Sequence, residues 1–202
     1  MARRSEHNRE ELRNLIVCSA QKLIAERGLD SLSARAIAGD IGYTVGTLYQ
    51  HFDDMSDILL NVHARTLTML GAALAGCKTD ADPRMMLHSY ADCYIDFIRK
   101  NTNAWEALFS FRRQQGFVNP DWYIQHISDL TLQITDCFER LNIQNPDIDP
   151  KQAAQLTWAS VHSVCCLEQS GRLGLMLDDS LETVAHKLID IHINAYVSSA
   201  AR

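Results

Sequence analysis

Between Ile37 and Asp54 the chain reads IAGDIGYTVGTLYQHFDD, a helical apolar pattern that stops at Gly42 and restarts for barely two turns. A glycine at such a break can take positive φ without a steric penalty. Two short helices joined by so tight a turn cross steeply, and the crossing needs small side chains. Ala38 supplies one, while Ile37, Ile41, Leu48 and Phe52 are spaced to anchor both helices to the one before them. Thr44, Val45, Thr47, Tyr49, Gln50 and His51 are then less committed to the core. Thr and Gln hydrogen-bond base edges and Val or Thr methyls meet a thymine methyl, and a Tyr hydroxyl suits a phosphate. The pattern therefore predicts a helix-turn-helix whose second helix projects outward.

The rest of the chain is also helical in period. Leu12, Leu15, Ile16, Ser19, Leu23 and Ile24 recur at three- and four-residue steps, predicting a first helix from near Asn8 to Arg27. Gly28 is placed to end it as a left-handed residue, and Ser33 to cap a second helix over residues 34–41. Ser56 is placed to cap a longer helix reaching about Cys77. "TDADP" breaks the pattern, and Pro83 suits the first turn of the next helix. "NAWEALFSF" predicts a short helix and "RRQQGFVNP" a loop. Three more helices follow, near residues 121–141, 151–169 and 180–199. No stretch shows the two-residue alternation of a strand, so the fold class is all-α. The change from short helices to longer, more aromatic ones puts a boundary near residue 55, giving domains 1–55 and 56–202.

Charge offers nucleic-acid binding no help. The net charge is −6, and through Met55 seven basic residues face eight acidic ones. Any DNA contact must rest on local geometry. No stretch approaches the roughly 18 uninterrupted apolar residues of a membrane span, and "MARRSEHNREELRN" is too polar for a signal peptide. Six cysteines without C-x-x-C spacing are read as reduced, buried thiols of a cytoplasmic protein. His162, Cys165 and Cys166 lie close in sequence, but adjacent helical residues diverge by about 100° and do not share one ion readily. Neither a metal nor a cofactor is expected.

The run "LSARAIAGDIGYTVGTLYQHFDDMSDIL", after a helix ending in "ERGLDSL", resembles the TetR family of bacterial transcriptional regulators. The resemblance implies that Thr44, Val45, Gly46, Thr47, Tyr49, Gln50 and His51 sit at the DNA, with "MARRSEHNR" as a basic arm. Where the family commonly carries a Lys-containing turn for a phosphate, this chain has Asp53, Asp54 and Met55. Two carboxylates repel phosphates while favouring the positive end of the following helix. Phosphate anchoring then falls to Arg3, Arg4, Arg9 and Arg35.

"QLTWASVHSVCCLEQSGRLG" resembles the Trp-His-Gly type of TetR C-terminal domain, with Ser163 at the glycine, and "YIDFIRKNTNAWEALFSF" resembles that domain's earlier helices. This implies an effector-binding, dimer-forming half. Tyr90, Tyr94, Trp105, Phe109, Phe111, Trp122, Tyr123 and Trp158 are an aromatic supply for an apolar cavity, and equally for an ordinary core. His88, His126 and His162 can each orient a polar ligand atom; His162, one turn from Trp158, serves as well as a core histidine. Leu156, Ala159, Ser160, Ser163, Val164 and Leu167, with a second face from Leu181 to Tyr196, offer a four-helix homodimer interface.

The expectation is a non-enzymatic, ligand-responsive repressor of a double-stranded operator, released by a small, largely apolar effector. No Ser-His-Asp arrangement, paired carboxylates or phosphate-cradling Gly loop supports an enzyme. The alternative is a helical protein-interaction module that has lost DNA affinity, to which Asp53 and Asp54 would be suited.

Overall fold

The computed structural model describes residues 8–77, 80–110, 118–141 and 149–198. Arg3, Arg4 and Phe111, with most of the breaks at 111–117 and 142–148, lie outside them. Among the described residues the regular elements are all helical. They are α1 (Arg9–Arg27), α2 (Ala34–Ile41), α3 (Val45–Leu48), α4 (Met55–Ala75), α5 (Pro83–Lys100), α6 (Thr102–Ser110), α7 (Asp121–Arg140), α8 (Pro150–Gln169) and α9 (Leu181–Ser198), with short 3-10 turns at Leu29–Ser31 and Leu173–Leu175. The chain divides into two compact units, one running to Met69 and including Lys100–Tyr123, the other formed by Leu70–Arg99 and Ile124–Arg202.

In the first unit the helix ends are fixed by local chemistry. Asn8 Oδ1 accepts from Glu11 N at 2.9 Å while Glu11 Oε2 accepts from Asn8 N at 3.0 Å, a reciprocal capping box. Ser33 caps α2 as expected, accepting from Ala36 N at 3.1 Å. Gly28 ends α1 differently from the left-handed stop foreseen. Its φ is 78° but its ψ is 172°, an extended conformation that only glycine adopts without strain.

Apolar faces then close a single core. Leu12, Ile16, Ala20, Leu23 and Ile24 of α1 meet Ile37 and Ala38 of α2, Leu48 and Phe52 beyond the turn, Ile58, Leu59 and Val62 of α4, and Ala107 of α6. That α6 joins this core was not readable from its sequence position. Polar clasps join α1 to α2, with Ser19 Oγ donating to Asp40 at 2.7 Å and Lys22 Nζ at 2.9 Å from the same carboxylate. The Lys22 hydrogen bond, then that from Ser19, holds the Asp40 carboxyl below the usual range.

In the second unit α5, α7, α8, α9 and the last turn of α4 supply the core, including Leu87, Tyr94, Phe138, Ala154, Cys165 and Ile189. His88 and Asp92 on α5 pair crosswise with Asp190 and His186 on α9, at 3.0 and 2.8 Å, and the two imidazoles stack with centroids 4.4 Å apart. His88 is thus used between helices. The six-thiol expectation also fails: Cys77 and Cys93 form a disulfide. Cys77 lies just past α4, where the chain turns back toward α5, a proximity that helical spacing cannot reveal. Cys18, Cys137, Cys165 and Cys166 are free, and Cys18 is exposed rather than buried.

Candidate functional site

Gly42 has φ 73° and ψ 26°, left-handed, and its N–H donates to Ala38 O as α2 closes. The restart is one turn of α-helix. Thr44 caps it, with Oγ1 accepting from Thr47 N at 3.2 Å, and the two threonine hydroxyls lie 2.9 Å apart. Leu48 turns fully inward while Thr44, Gly46, Tyr49 and Gln50 stay exposed, and Tyr49 shows 44% of its surface. Val45, Thr47 and His51 are half-buried, and Val45 packs partly against the core. Thr44 and Thr47 therefore reach outward with hydroxyls already shared in the cap, while Tyr49 and Gln50 form the more open edge. Arg35 is also exposed, on α2.

Arg13 was counted in the sequence only as charge. Its guanidinium lies over the Phe52 ring, 4.1 Å from the centroid, and donates to His51 O. A cation over an aromatic face is attracted by the ring quadrupole. This holds the exit of the projecting segment against α1. No motif announces it, because 38 residues separate the partners.

Of the two aspartates, Asp54 is committed to α4 through its carboxylate and Asp53 is tied to it through its backbone N–H. Asp54 Oδ1 accepts from Asp57 N at 2.9 Å, so Asp54 caps the helix in place of Ser56, which lies inside it. Asp57 reaches back, its Oδ2 accepting from Asp53 N at 3.3 Å. Asp54→Asn keeps this cap and removes a charge, whereas Asp54→Ala loses the cap at a cost of about 1 kcal/mol. Thermal melts should leave the Asn variant near wild type and lower the Ala variant. Titrations against DNA at several salt concentrations should show both binding more tightly if the carboxylate faces phosphate. Equal melts would remove the capping role.

The second unit holds a narrow, partly open apolar cavity of about 20 Å³, room for roughly one water-sized molecule. Leu74 of α4, Leu87, Tyr90, Ala91 and Tyr94 of α5, Ile134 of α7, Thr157, Trp158 and Val161 of α8, and Ile189 of α9 line it. Tyr94 and Trp158 pack with ring centroids 4.6 Å apart. Behind that wall the Tyr94 hydroxyl lies 2.8 Å from His162 Nδ1. Burial pushes the Tyr90 phenol above its ordinary value and pulls His162 below 6.5.

Of the eight residues proposed from sequence for ligand binding, Tyr90, Tyr94 and Trp158 line this cavity and His162 backs it through Tyr94. Trp105, Phe109 and Trp122 fall in the first unit, where Trp105 and Phe109 pack together at 5.1 Å and Trp122 meets Tyr123 edge-on. His126, on α7, is half-buried and does not line the cavity. Aromatic content alone did not distinguish the two units. Cys165 faces the core and Cys166 faces His162, the divergence expected of neighbours on a helix.

The depressed His162 pKa sets a pH dependence, and His192, also lowered by burial, acts in the same sense. Below about pH 6.5 the unfolded chain takes up protons that the folded one resists, so stability falls. The fall levels off once the folded values are passed. Melts between pH 8 and 5 should show this loss, reduced in a His162→Gln variant that remains folded. A pH response identical to wild type would assign the loss to other groups.

The family model described as "Bacterial regulatory proteins, tetR family" matches residues 16–62, and that described as "Tetracyclin repressor-like, C-terminal domain" matches residues 87–191. The HTH-type transcriptional activator FasR of Mycolicibacterium smegmatis is 24% identical over 102 residues, 50% of this chain and 47% of FasR. The chain thus spans about half the length of that curated relative. A Rhodococcus sp. RHA1 protein of unknown function shares the fold with TM-score 0.73 and 17% identity, over 97% of this chain and 100% of that one. RolR in complex with resorcinol does so with TM-score 0.67 and 19% identity, over 96% and 95%. With one model matched across the helix-turn-helix and another across more than half of the chain, the protein belongs to the TetR family of bacterial regulatory proteins.

Proposed function

We propose that the protein is a ligand-responsive repressor that binds a near-palindromic operator as a homodimer and is released by a small, uncharged, largely apolar effector. The observation that carries this reading is the path of α4. Its first turns place Ile58, Leu59 and Val62 in the same core as Leu48 and Phe52, and its last turn places Leu74 in the cavity wall. An effector that displaces Leu74 moves a continuous helix whose other end supports the DNA-reading segment. Only a ligand that binds the two arrangements unequally has this effect, and a coupling of about 1–3 kcal/mol weakens operator affinity roughly 5- to 150-fold.

DNA reading falls to Tyr49 and Gln50, with the outer faces of Thr44, Val45, Gly46, Thr47 and His51, while Arg3, Arg4 and Arg35 meet phosphates. Two such segments enter successive major grooves about 34 Å apart. On this reading the DNA-reading part runs to about residue 55 and the effector and dimer part from 56. The cavity lining contains no charged side chain, so an ion entering it leaves its water without a compensating partner. That supports a neutral effector, and the resorcinol bound by RolR is a molecule of that kind.

The dimer face is narrower than the sequence alone offered. Val164, Leu181, Val184, Ala185, Ile189 and Tyr196 are buried within the protomer. Leu156, Ala159 and Ser163 on α8, with Ile191 and Ala195 on α9, remain exposed for a two-fold mate. A chromosomal operator places the work in the cytoplasm.

Selection of genomic fragments by the purified protein, repeated with a panel of small neutral and charged aromatic compounds, tests the whole reading. The expected result is a recurring inverted repeat, released by some neutral compounds and by none of the charged ones. Failure to retain any sequence would favour an interaction module without operator binding. Tighter retention with ligand would replace the repressor by a ligand-dependent binder.

A further inference from the structure

We propose that Arg13 is the positioning residue of the DNA-reading segment: it aims Tyr49 and Gln50 at the bases without touching DNA itself. The proposal rests on the reading role given above to those two residues and deepens it. α3 is a single turn, too short to hold a direction by its own hydrogen bonds. Leu48 and Phe52, 0% and 2% exposed, set how deep the segment sits. Two anchors four residues apart leave the segment free to roll about the line that joins them. That roll sweeps Tyr49 and Gln50 across a groove.

Arg13 removes this freedom. It stands in the second turn of α1, half-buried, next to Leu12 of the core. One guanidinium makes both contacts: its face lies over the Phe52 ring, 4.1 Å from the centroid, and its N–H donates to His51 O. The accepting carbonyl is at the exit of the segment, where His51 N and Phe52 N both donate back to Leu48 O at 3.0 Å. A cation there meets the negative end of the aligned peptide dipoles. Contacts to two consecutive residues, one over a ring and one along a peptide, fix an orientation that neither fixes alone. A planar guanidinium makes both at once, whereas an ammonium is a point charge without the fork.

The same commitment separates Arg13 from the arginines assigned to phosphates. Arg9 and Arg35 are exposed, while Arg13 is half-buried and engaged by Phe52 and His51 O. Phosphate contacts supply sequence-independent affinity and its salt dependence, and base contacts supply discrimination. A residue that only aims Tyr49 and Gln50 therefore acts on discrimination and leaves the phosphate part of binding alone.

The test compares the full-length wild type, Arg13→Lys and Arg13→Met on two duplexes of equal length, at several salt concentrations. One duplex is the inverted repeat recovered by the genomic selection, the other a scrambled version of it. Arg13→Met should bind the inverted repeat about tenfold more weakly, the loss expected of one misplaced base contact, with scrambled-duplex affinity and salt slope unchanged. Arg13→Lys keeps the charge and should fall with Arg13→Met, and as the milder change it covers the case in which Arg13→Met does not fold. Equal losses on both duplexes, with a salt slope lower by about one and rescue by Lys, would make Arg13 a phosphate contact and overturn the proposal. Equal losses that track a lowered melting midpoint would overturn it too, as the mark of a merely structural role. Amide exchange of His51 and Phe52, followed by NMR without DNA, reads the clamp by itself. Both should exchange several-fold faster in the variants while Ala36, in the Ser33 cap, keeps its wild-type rate. Unchanged exchange with wild-type discrimination intact sinks only the role of Arg13, whereas a wild type that does not discriminate sinks the DNA reading and the aiming role with it.

Discussion

Tyr49→Ala is expected to weaken operator binding by at least about tenfold, a loss of 1–3 kcal/mol typical of one good contact, while folding and dimerisation stay intact. The dissociation has a structural reason. Tyr49 closes the single turn of α3, with its backbone N–H donating to Thr47 O and Val45 O, so an alanine keeps the backbone arrangement. Its ring leaves 44% of its surface open and contributes little to the core. Anisotropy titrations on a selected operator, paired with light scattering and thermal melts, check the three quantities separately. Wild-type affinity in this variant would take Tyr49 out of the interface and shift base reading toward Thr44, Gly46 and Gln50.

One residue earlier the expected result is the opposite. Leu48→Ala should destabilise the first unit by about 2–5 kcal/mol, the range for a large-to-small change in a packed core. Leu48 is fully buried among α1, α2 and α4 side chains, the one fully buried side chain of α3, with Val45 packing partly beside it. Stability in urea should fall steeply, and operator affinity with it, because the projecting segment loses its anchor. A midpoint within error of wild type would mean that the core collapses around the missing methyl groups. The adjacent pair thus separates contact from scaffold within two positions.

Much of this contrast was legible beforehand. Leu48 and Tyr49 differ in periodicity, and Gly42 marks where the period resets, so inward and outward faces follow from spacing. Ser33 and Asn8 were readable as helix starts for the same local reason, since a cap needs an acceptor only three residues from its donor. Asp54 was half legible. Its attraction to a helix start was foreseen, but Ser56 was given the cap, because both residue types can fill it and two positions separate them.

The cavity was less readable. Tyr94 and Trp105 are both buried aromatics on neighbouring helices, yet one lines the cavity and the other belongs to the first unit. Nothing local tells them apart. The crossed pairs of His88 and His186 with Asp190 and Asp92 were equally hidden, although each helix carries the same His-x-x-x-Asp spacing.

What the sequence determined by itself is the set of properties that close within a turn or two of helix: the all-α class, the break at Gly42, the Ser33 cap, and the inward Leu48 beside the outward Tyr49. Only the tertiary structure decided which aromatics share a wall, that Cys77 meets Cys93, that Arg13 covers Phe52, and that six residues of the expected dimer face are buried inside the protomer. The physical reason is range. Helical hydrogen bonds and side-chain periodicity act over three or four residues and are written in the local order of the chain. Burial and long-range pairing depend on which faces meet after the chain has turned, and many sequences with the same local pattern satisfy that requirement differently.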